Sequence, residues 1–190
     1  MKFLVISDTH GKIDAAAELG RELAGIDAII HLGDYEKDAR ALSEILGIDV
    51  ISVKGNMDNG FHPQDAFRIL ETEAGKLLLT HGHMQNVKSS LNGLLFLAEE
   101  QECTAALFGH THLPLIERAN GILFVNPGSL SLPAGGGDAS YAIVTTAVDG
   151  VRAELRFRAK PKPSESSPQN SSSKVRGGFL RDILNNSDRL

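Results

Sequence analysis

The chain has 190 residues, of which 42% are hydrophobic; this suffices for one folded domain of ordinary size and excludes wholesale disorder. The net charge is −5, divided into +3 over residues 159–190 (six basic, three acidic) and −8 over the rest (13 basic, 21 acidic). An acidic body argues against a stable nucleic-acid complex, which needs a basic surface, and a body that acts on phosphates would need bound cations of its own.

The first 60 residues alternate strands and helices. Residues 2–7 and 27–34 are apolar runs that predict buried strands, and 49–60 predicts a third strand that ends in a glycine-rich loop. Between them, 12–25 and 36–48 have apolar residues at helical spacing. This βαβαβ order with short crossovers predicts parallel strands in a layered α/β sheet.

From residue 66 onward the pattern favours hairpins. Residues 66–83 predict two strands about a tight turn, and the Asn-Gly pair in 113–129 and the Asp-Gly pair in 139–158 give the same signal. A helix at 88–102 and a further strand at 104–112 are expected between them. The second half therefore predicts mixed or doubled sheets.

The composition shifts after residue 158, and we predict three segments. Residues 1–158 form the folded domain, and 159–176 form a linker rich in proline and serine. Residues 177–190 carry apolar residues at helical spacing, which predicts a short amphipathic segment. A helix of this length is marginal alone, so a frayed tail is an equal alternative.

Residues able to bind metal lie at the C-terminal ends of five of the predicted strands. They are Asp8 and His10, Asp34, Asn56, His81 and His83, and His110 and His112. The carboxyl ends of parallel strands meet at one edge of a sheet, where ligands bind. Glycine accompanies these clusters at Gly33, Gly55 and Gly109, which lets the backbone come close. One strand-end histidine is weak evidence, but five such clusters in order predict a metal centre.

The ligand types indicate what this centre holds. Without His83, the set contains two carboxylates, one amide oxygen and four imidazoles, which is too many for one ion and suits two ions that share a carboxylate. Oxygen and imidazole ligands without thiolate fit Mn²⁺, Fe, Zn²⁺, Co²⁺ or Ni²⁺ better than Ca²⁺ or a structural zinc site. We expect two divalent ions, with Mn²⁺ the first choice.

The order of the short sequences "DTH", "GD", "GN", "HGH" and "GHTH" resembles the calcineurin-like metallophosphoesterase superfamily. With "NPGS" at 126–129, the chain is similar to the small bacterial and archaeal phosphodiesterase branch, the YfcE type. The resemblance covers residues 1 to about 158. It implies an α/β fold, namely an αββα four-layer sandwich of two mixed β-sheets flanked by helices.

The resemblance also implies roles for single residues. It assigns Asp8, His10 and His112 to one metal ion. It assigns Asn56, His81 and His110 to the other, with Asp34 bridging both. In this family, a hydroxide between the two metal ions attacks phosphorus without a covalent enzyme intermediate, so the resemblance implies phosphodiester hydrolysis.

One position departs from the wider superfamily, in which a histidine that follows "GN" is thought to protonate the leaving group. Here Met57 follows Asn56, and a thioether cannot transfer a proton. The small phosphodiesterase branch also departs here, so Met57 fits that branch. We predict His83 as the substitute catalytic acid or a phosphate contact, with Asp58 as its orienting partner; a supporting hydrogen bond to the metal ligands is the alternative for His83.

Other functions remain open beside a phosphodiesterase with a small phosphodiester substrate. The fold also serves as a non-catalytic scaffold in the retromer coat, although that scaffold has lost key ligands that this chain retains. A phosphomonoesterase is the third alternative, and Met57 disfavours it. The single cysteine suits a reducing cytosol, no apolar run reaches the ~20 residues that span a bilayer, and the N-terminus lacks a signal-peptide layout. We therefore expect a cytoplasmic protein with no membrane partner; a homo-oligomer remains open.

Overall fold

The computed structural model describes residues 1–158. The strands are β1 (Lys2–Ile6), β2 (Ala28–His31), β3 (Val50–Ser52), β4 (Phe67–Thr72), β5 (Gly75–Thr80), β6 (Cys103–Phe108), β7 (Pro114–Ala119), β8 (Ile122–Pro127), β9 (Ala139–Ala147) and β10 (Gly150–Arg158). The helices are α1 (Asp14–Glu22), α2 (Glu36–Leu46) and α3 (Asn92–Glu100), with short 3-10 turns at Pro63–Asp65 and Ala134–Gly136.

These strands form two mixed sheets of five strands each. The first sheet has the order β10-β9-β1-β2-β3, in which β1, β2 and β3 are parallel and β9 is antiparallel to β1 and β10. The second sheet has the order β4-β5-β6-β8-β7, in which β5, β6 and β8 are parallel and the two edge strands are antiparallel. Three parallel strands thus lie at one side of the first sheet and three in the centre of the second. The βαβαβ pattern predicts the parallel strands of the first sheet.

Apolar side chains stack the two sheets and the helices into four layers. In β1, Phe3 and Val5 point between the sheets toward residues such as Leu77 of β5, because successive strand residues face opposite sides. Leu4 and Ile6 point the other way, into the cluster that contains α1 and α2 residues. A third cluster packs α3 against the outer face of the second sheet. The αββα sandwich expected from the sequence is confirmed.

Three predicted strands end earlier than their apolar patterns indicated. The strand predicted at 27–34 ends at His31, the one at 49–60 ends at Ser52, and the one at 104–112 ends at Phe108. Several residues that follow them, among them Asp34 and His110, have positive φ, which a strand does not allow. The chain therefore leaves the sheet before it reaches the polar clusters.

The hairpin signals are also found, with one shift in position. Asn120 and Gly121 both have positive φ (50° and 82°) and connect β7 to β8, as a two-residue turn of this composition requires. In the last hairpin Gly150 already pairs with Ala147, so Val148 and Asp149 form the turn instead of Asp149 and Gly150.

Among residues 1–158, no helix is both long and apolar enough to cross a membrane. The linker predicted at 159–176 and the amphipathic segment predicted at 177–190 lie outside the described residues and stay predictions.

Two leucines should differ in how much their side chains contribute to the stability of the fold. Leu77 is fully buried between the two sheets, whereas Leu113 is 54% exposed. We expect Leu77→Ala to lower the free energy of unfolding by about 2–5 kcal/mol because it leaves a cavity, and Leu113→Ala by less than about 0.5 kcal/mol. Urea unfolding of both variants measures the difference, and equal costs would contradict this assignment of the core.

Candidate metal centre

The seven predicted metal ligands all lie in loops that follow parallel strands of the two sheets. Asp8 and His10 follow β1, Asp34 follows β2 and Asn56 follows β3 of the first sheet. From the second sheet, His81 follows β5, and His110 and His112 follow β6. The sandwich brings these loops together at one end, so residues separated by more than 100 positions in the chain are in contact.

Four of the seven residues form a first group of donors: Asp8, His10, Asp34 and His112. Each offers a ligand atom, and these atoms all lie within 4.8 Å of one another. Nε2 of His112 lies 3.1 Å from Oδ1 of Asp8 and 3.5 Å from Nε2 of His10. Such a set of two carboxylates and two imidazoles fits a divalent transition metal.

The other three residues form a second group beside the first: Asn56, His81 and His110. Nε2 of His81 lies 3.1 Å from Oδ1 of Asn56 and 3.1 Å from Nδ1 of His110. Asp34 faces both groups, because its Oδ1 is 3.4 Å from Nε2 of His81 and its Oδ2 is 3.8 Å from Nε2 of His10. One carboxylate therefore presents one oxygen to each group.

Backbone carbonyls determine which ring nitrogen two of the histidines turn toward the centre. Nδ1 of His81 donates a hydrogen bond to the Leu32 carbonyl (2.8 Å), and Nδ1 of His112 donates one to the Leu132 carbonyl (2.7 Å). With Nδ1 protonated, the neutral ring has its lone pair on Nε2, which faces the other donors in both cases. Histidines that bind metal are commonly held in this way.

The two oxygens of the Asp8 carboxylate have different surroundings. Oδ2 accepts hydrogen bonds from the Ser7 hydroxyl (2.6 Å) and the His110 backbone N–H (3.0 Å). Oδ1 is buried and lies 3.1 Å from Nε2 of His112; when that ring is neutral with its lone pair on Nε2, Oδ1 has no hydrogen-bond donor in the described part of the chain. A buried polar atom without a partner is costly, and a cation at this position would remove that cost.

Charges and burial shift the pKa values of the ligands in different directions: the hydrogen bond to Asp8 raises the pKa of His112, so a metal ion has to displace a proton from that ring. Burial alone raises the pKa of Asp8, but His112, His81 and Ser7 together outweigh burial and leave that pKa below its ordinary value. Burial, then the charges of His81 and Lys88, lower the pKa of His110 to about 4. Asp8 is thus ionised and His110 neutral near pH 7, so both have electron pairs to donate, and the residues present fit divalent metal ions.

The backbone at the centre is strained. Five of the seven residues have positive φ, a region that side chains other than glycine rarely adopt: Asp8, His10, Asp34, His110 and His112. Each such conformation costs about 1–3 kcal/mol and persists only where surrounding contacts enforce it. Strain of this kind is concentrated at functional sites.

Two sets of hydrogen bonds hold the ligand loops in this strained backbone conformation. No sequence pattern had assigned a loop-holding role to the residues that make them. Asn126, in "NPGS", donates to the Gly109 carbonyl (2.8 Å) and to the Thr111 hydroxyl (3.0 Å), and the Ser129 hydroxyl donates to the Asp8 carbonyl (2.9 Å). Both residues are fully buried. "NPGS" therefore holds the two loops that contain Asp8 and His110, and its position near the last ligands was the available signal.

The second set connects the Asp8 loop to α2. The Thr9 hydroxyl and the Gly11 backbone N–H both donate to Oδ2 of Asp38 (2.6 and 2.8 Å). Since that hydroxyl gives its proton to Asp38, Nε2 of His31, 2.9 Å away, must donate to the hydroxyl oxygen. Burial lowers the pKa of His31, so this histidine is a neutral interior residue that supports the loop. No sequence pattern pointed to Asp38.

The two predicted catalytic residues lie in different settings. His83 packs its ring against Phe61 (centroids 4.8 Å apart) and near His81 (5.5 Å) and His110 (6.1 Å). Its Nδ1 is buried without a hydrogen-bond partner among the described residues. Asp58 accepts backbone hydrogen bonds on both oxygens, from Glu36 (2.6 Å) and Gly55 (2.9 Å). These bonds favour a loop-holding role for Asp58, and its predicted partnership with His83 stays a prediction.

Two glycines allow the strand-end loops to approach each other. A Cβ on Gly109 would overlap the Ser7 hydroxyl and come within 3.0 Å of Asp8 Oδ2, and a Cβ on Gly55 would overlap the Asp34 carboxylate. The expectation that glycine permits close approach at these clusters is confirmed for both positions.

We expect Gly109→Ala to lower the free energy of unfolding by about 1–3 kcal/mol because the added methyl group must displace Ser7 or Asp8. Gly137→Ala is the matched control, since its Cβ would meet nothing closer than 3.5 Å. Urea unfolding of the metal-free variants makes the comparison. Equal midpoints would show that the loops around Gly109 tolerate a side chain.

Comparisons with known proteins agree with this architecture. Residues 1–149 match the model of the calcineurin-like phosphoesterase superfamily domain. The chain is 36% identical to the probable metallophosphoesterase YsnB of Bacillus subtilis (83% of this chain, 90% of YsnB) and 30% identical to the phosphodiesterase YfcE of Escherichia coli (76% and 87%). A crystal structure of a predicted phosphoesterase from Streptococcus pneumoniae superimposes with a TM-score of 0.65 at 28% identity (82% and 97%). The chain therefore belongs to the calcineurin-like phosphoesterase superfamily.

Proposed function

We propose that the protein is a binuclear metal-dependent phosphodiesterase. The observation that carries the proposal is the position of Asp34, whose two oxygens face two separate groups of donors. Asp8, His10 and His112 would hold one ion, Asn56, His81 and His110 would hold the other, and Asp34 would be shared. The names of the relatives YsnB and YfcE support a phosphoesterase.

The donor set leaves the choice of metal among Mn²⁺, Ni²⁺, Zn²⁺, Fe and Co²⁺, and we propose Mn²⁺ because oxygen donors accompany the imidazoles. When bound, two such ions offset the negative charge of a phosphoryl group and activate water for attack on phosphorus. The chain itself supplies rigid orientation. The Met57 backbone N–H donates to Asp34 (3.0 Å), and the Asp8, His81 and His112 side chains have the fixed partners described above.

His83 is the residue we propose for proton transfer to the leaving group. Its ring is partly exposed and lies near the rings of His81 and His110 (centroids 5.5 and 6.1 Å apart), so a substrate at the metal centre would be close to it. Burial and then the charge of His81 lower its pKa, so the protonated ring is the minor form at neutral pH and proton donation should grow stronger as the pH falls. Met57 cannot take this role, and its side chain is 57% exposed.

The first experiment compares a phosphodiester and its monoester, bis(p-nitrophenyl) phosphate and p-nitrophenyl phosphate, after removing metal and restoring Mn²⁺. We expect diester hydrolysis to disappear with the metal and to return with it. Asp34→Asn should bind fewer than two ions and lose at least about 100-fold in kcat/KM. Asp138→Asn, at an exposed position, is the matched control.

The other outcomes separate the alternatives. Faster hydrolysis of the monoester than of the diester would indicate a phosphomonoesterase. Two bound ions per chain without turnover of either ester would favour a non-catalytic scaffold. Metal analysis of the purified protein accompanies each assay, so loss of metal and loss of chemistry are distinguished.

A second experiment tests His83 with leaving groups of different pKa. A general acid contributes about 10²–10⁴-fold when the leaving group is a poor one. We expect His83→Gln to lose that much kcat with an alkyl leaving group and less than about 10-fold with p-nitrophenolate, at unchanged metal content. His62→Gln, at an exposed loop position, is the control. A loss that is equal for both leaving groups would assign His83 a positioning role.

A further inference from the structure

An apolar groove adjoins the metal centre. Its volume is about 610 Å³, within the range of small-molecule sites. Its apolar walls are formed by Val87, Leu91, Phe108, Leu113 and Leu115. Leu113 is 54% exposed in this groove. Exposed apolar surface of this kind, next to a polar centre, commonly marks a binding site.

The groove and the metal centre share the same two loops. Phe108 ends β6 two residues before His110, and Thr111 lies between His110 and His112. On the other wall, Val87 follows the His81 loop and its backbone N–H donates to the Gly82 carbonyl (3.3 Å). The groove therefore begins one residue away from His110 and His112 along the chain.

The wall next to the ligands is rigid before any ligand binds. The Thr111 hydroxyl accepts hydrogen bonds from Asn126 (3.0 Å) and from the Leu113 backbone N–H (3.1 Å). These bonds fix the segment that presents Leu113 to the groove. A preformed wall reduces the entropy lost when a ligand binds.

The charges along the groove distinguish its two ends. Lys88 is exposed, makes no ion pair among the described residues and lines the groove beside Val87, which follows the His81 loop. Glu117 is the acidic residue of the lining and lies three positions beyond Pro114 on β7, away from the ligand loops. The end near the metal centre thus attracts an anion, and the far end repels one.

A second cavity, of about 430 Å³ beside Asp34, has a different character. Its lining includes Lys37, Arg40 and Glu36. Charged side chains there do not favour an apolar group, because burying them against it would cost hydration. The two cavities next to the centre therefore suit different kinds of substituent.

From these contacts we infer that the groove binds one ester arm of the substrate, that this arm is apolar and uncharged, and that Lys88 attracts the phosphoryl anion at its inner end. The preferred substrates are then phosphodiesters with an aryl or similar apolar arm. This inference rests on the proposed function, since it takes the phosphodiester to be held at the metal centre.

The test uses three phosphodiesters that share p-nitrophenol as the leaving group and have methyl, phenyl or 1-naphthyl as the second ester arm. We expect kcat/KM with Mn²⁺ to rise at least about 10-fold from methyl to naphthyl, as pockets discriminate between apolar groups of different size. Leu113→Ser should lower this ratio about 10-fold. Lys88→Gln should lower kcat/KM by the same factor for each of the three esters and leave their ratio unchanged, because all three have the same phosphoryl charge.

Val148→Ser is the matched control, because Val148 is 90% exposed in the turn between β9 and β10. It should keep the wild-type ratio. Turnover with equal kcat/KM for the three esters, or a ratio that Leu113→Ser leaves unchanged, would overturn the inference while the proposed function stands.

A second measurement does not depend on turnover. 1-Naphthol, the apolar arm without the phosphoryl anion, is titrated into the metal-free protein and followed by naphthyl fluorescence. We expect saturable binding that Leu113→Ser weakens about 10-fold and Val148→Ser does not change. If no ester is hydrolysed by the metal-loaded protein, the proposed function fails, and this titration alone decides about the groove. Absence of binding, or binding insensitive to Leu113→Ser, would refute the inference.

Discussion

The carboxylate of Asp34 is the point on which the arrangement of this end of the molecule depends. Its two oxygens face nitrogen donors from opposite sheets, so the loops after β1, β2, β3, β5 and β6 must all come within a few ångströms of it. That proximity requires glycine at 55 and 109 and positive φ at five of the seven ligands. The energetic cost of the strain is offset by buried hydrogen bonds that Asn126 and Ser129 donate and one that Asp38 accepts.

Much of this could be predicted from the sequence because each local pattern has one physical meaning. The continuous apolar run in "KFLVIS" identifies a strand with two buried faces, and Asn120-Gly121 identifies a hairpin turn. The ligands could be predicted because polar residues that end apolar strands converge at one edge of an α/β sheet. Both signals depend only on neighbours in the chain and on a general rule of topology.

The remainder depends on contacts between distant residues, which no local pattern encodes. Asp38 lies within a helix and is one of several acids there, yet it accepts the two hydrogen bonds that hold the Asp8 loop. The sequence pattern predicts strands that are too long, because apolar residues continue past the last residue that pairs with a neighbouring strand, as in "IIHLGD". The groove beside Leu113 combines β6, β7 and the segment after His83, and only the packed structure brings these together.

The pairing of β1 with β9 has a consequence for synthesis on the ribosome. When the chain has emerged as far as His112, all seven donors are present, but β9 (Ala139–Ala147) and Ser129 are still missing. β1 then lacks one of its two neighbours in the sheet, and the Asp8 carbonyl lacks its hydroxyl partner. The metal ligands are thus synthesised before the residues that hold the Asp8 loop in place. Contacts between residues more than 100 positions apart form slowly compared with local folding, so this support is completed late.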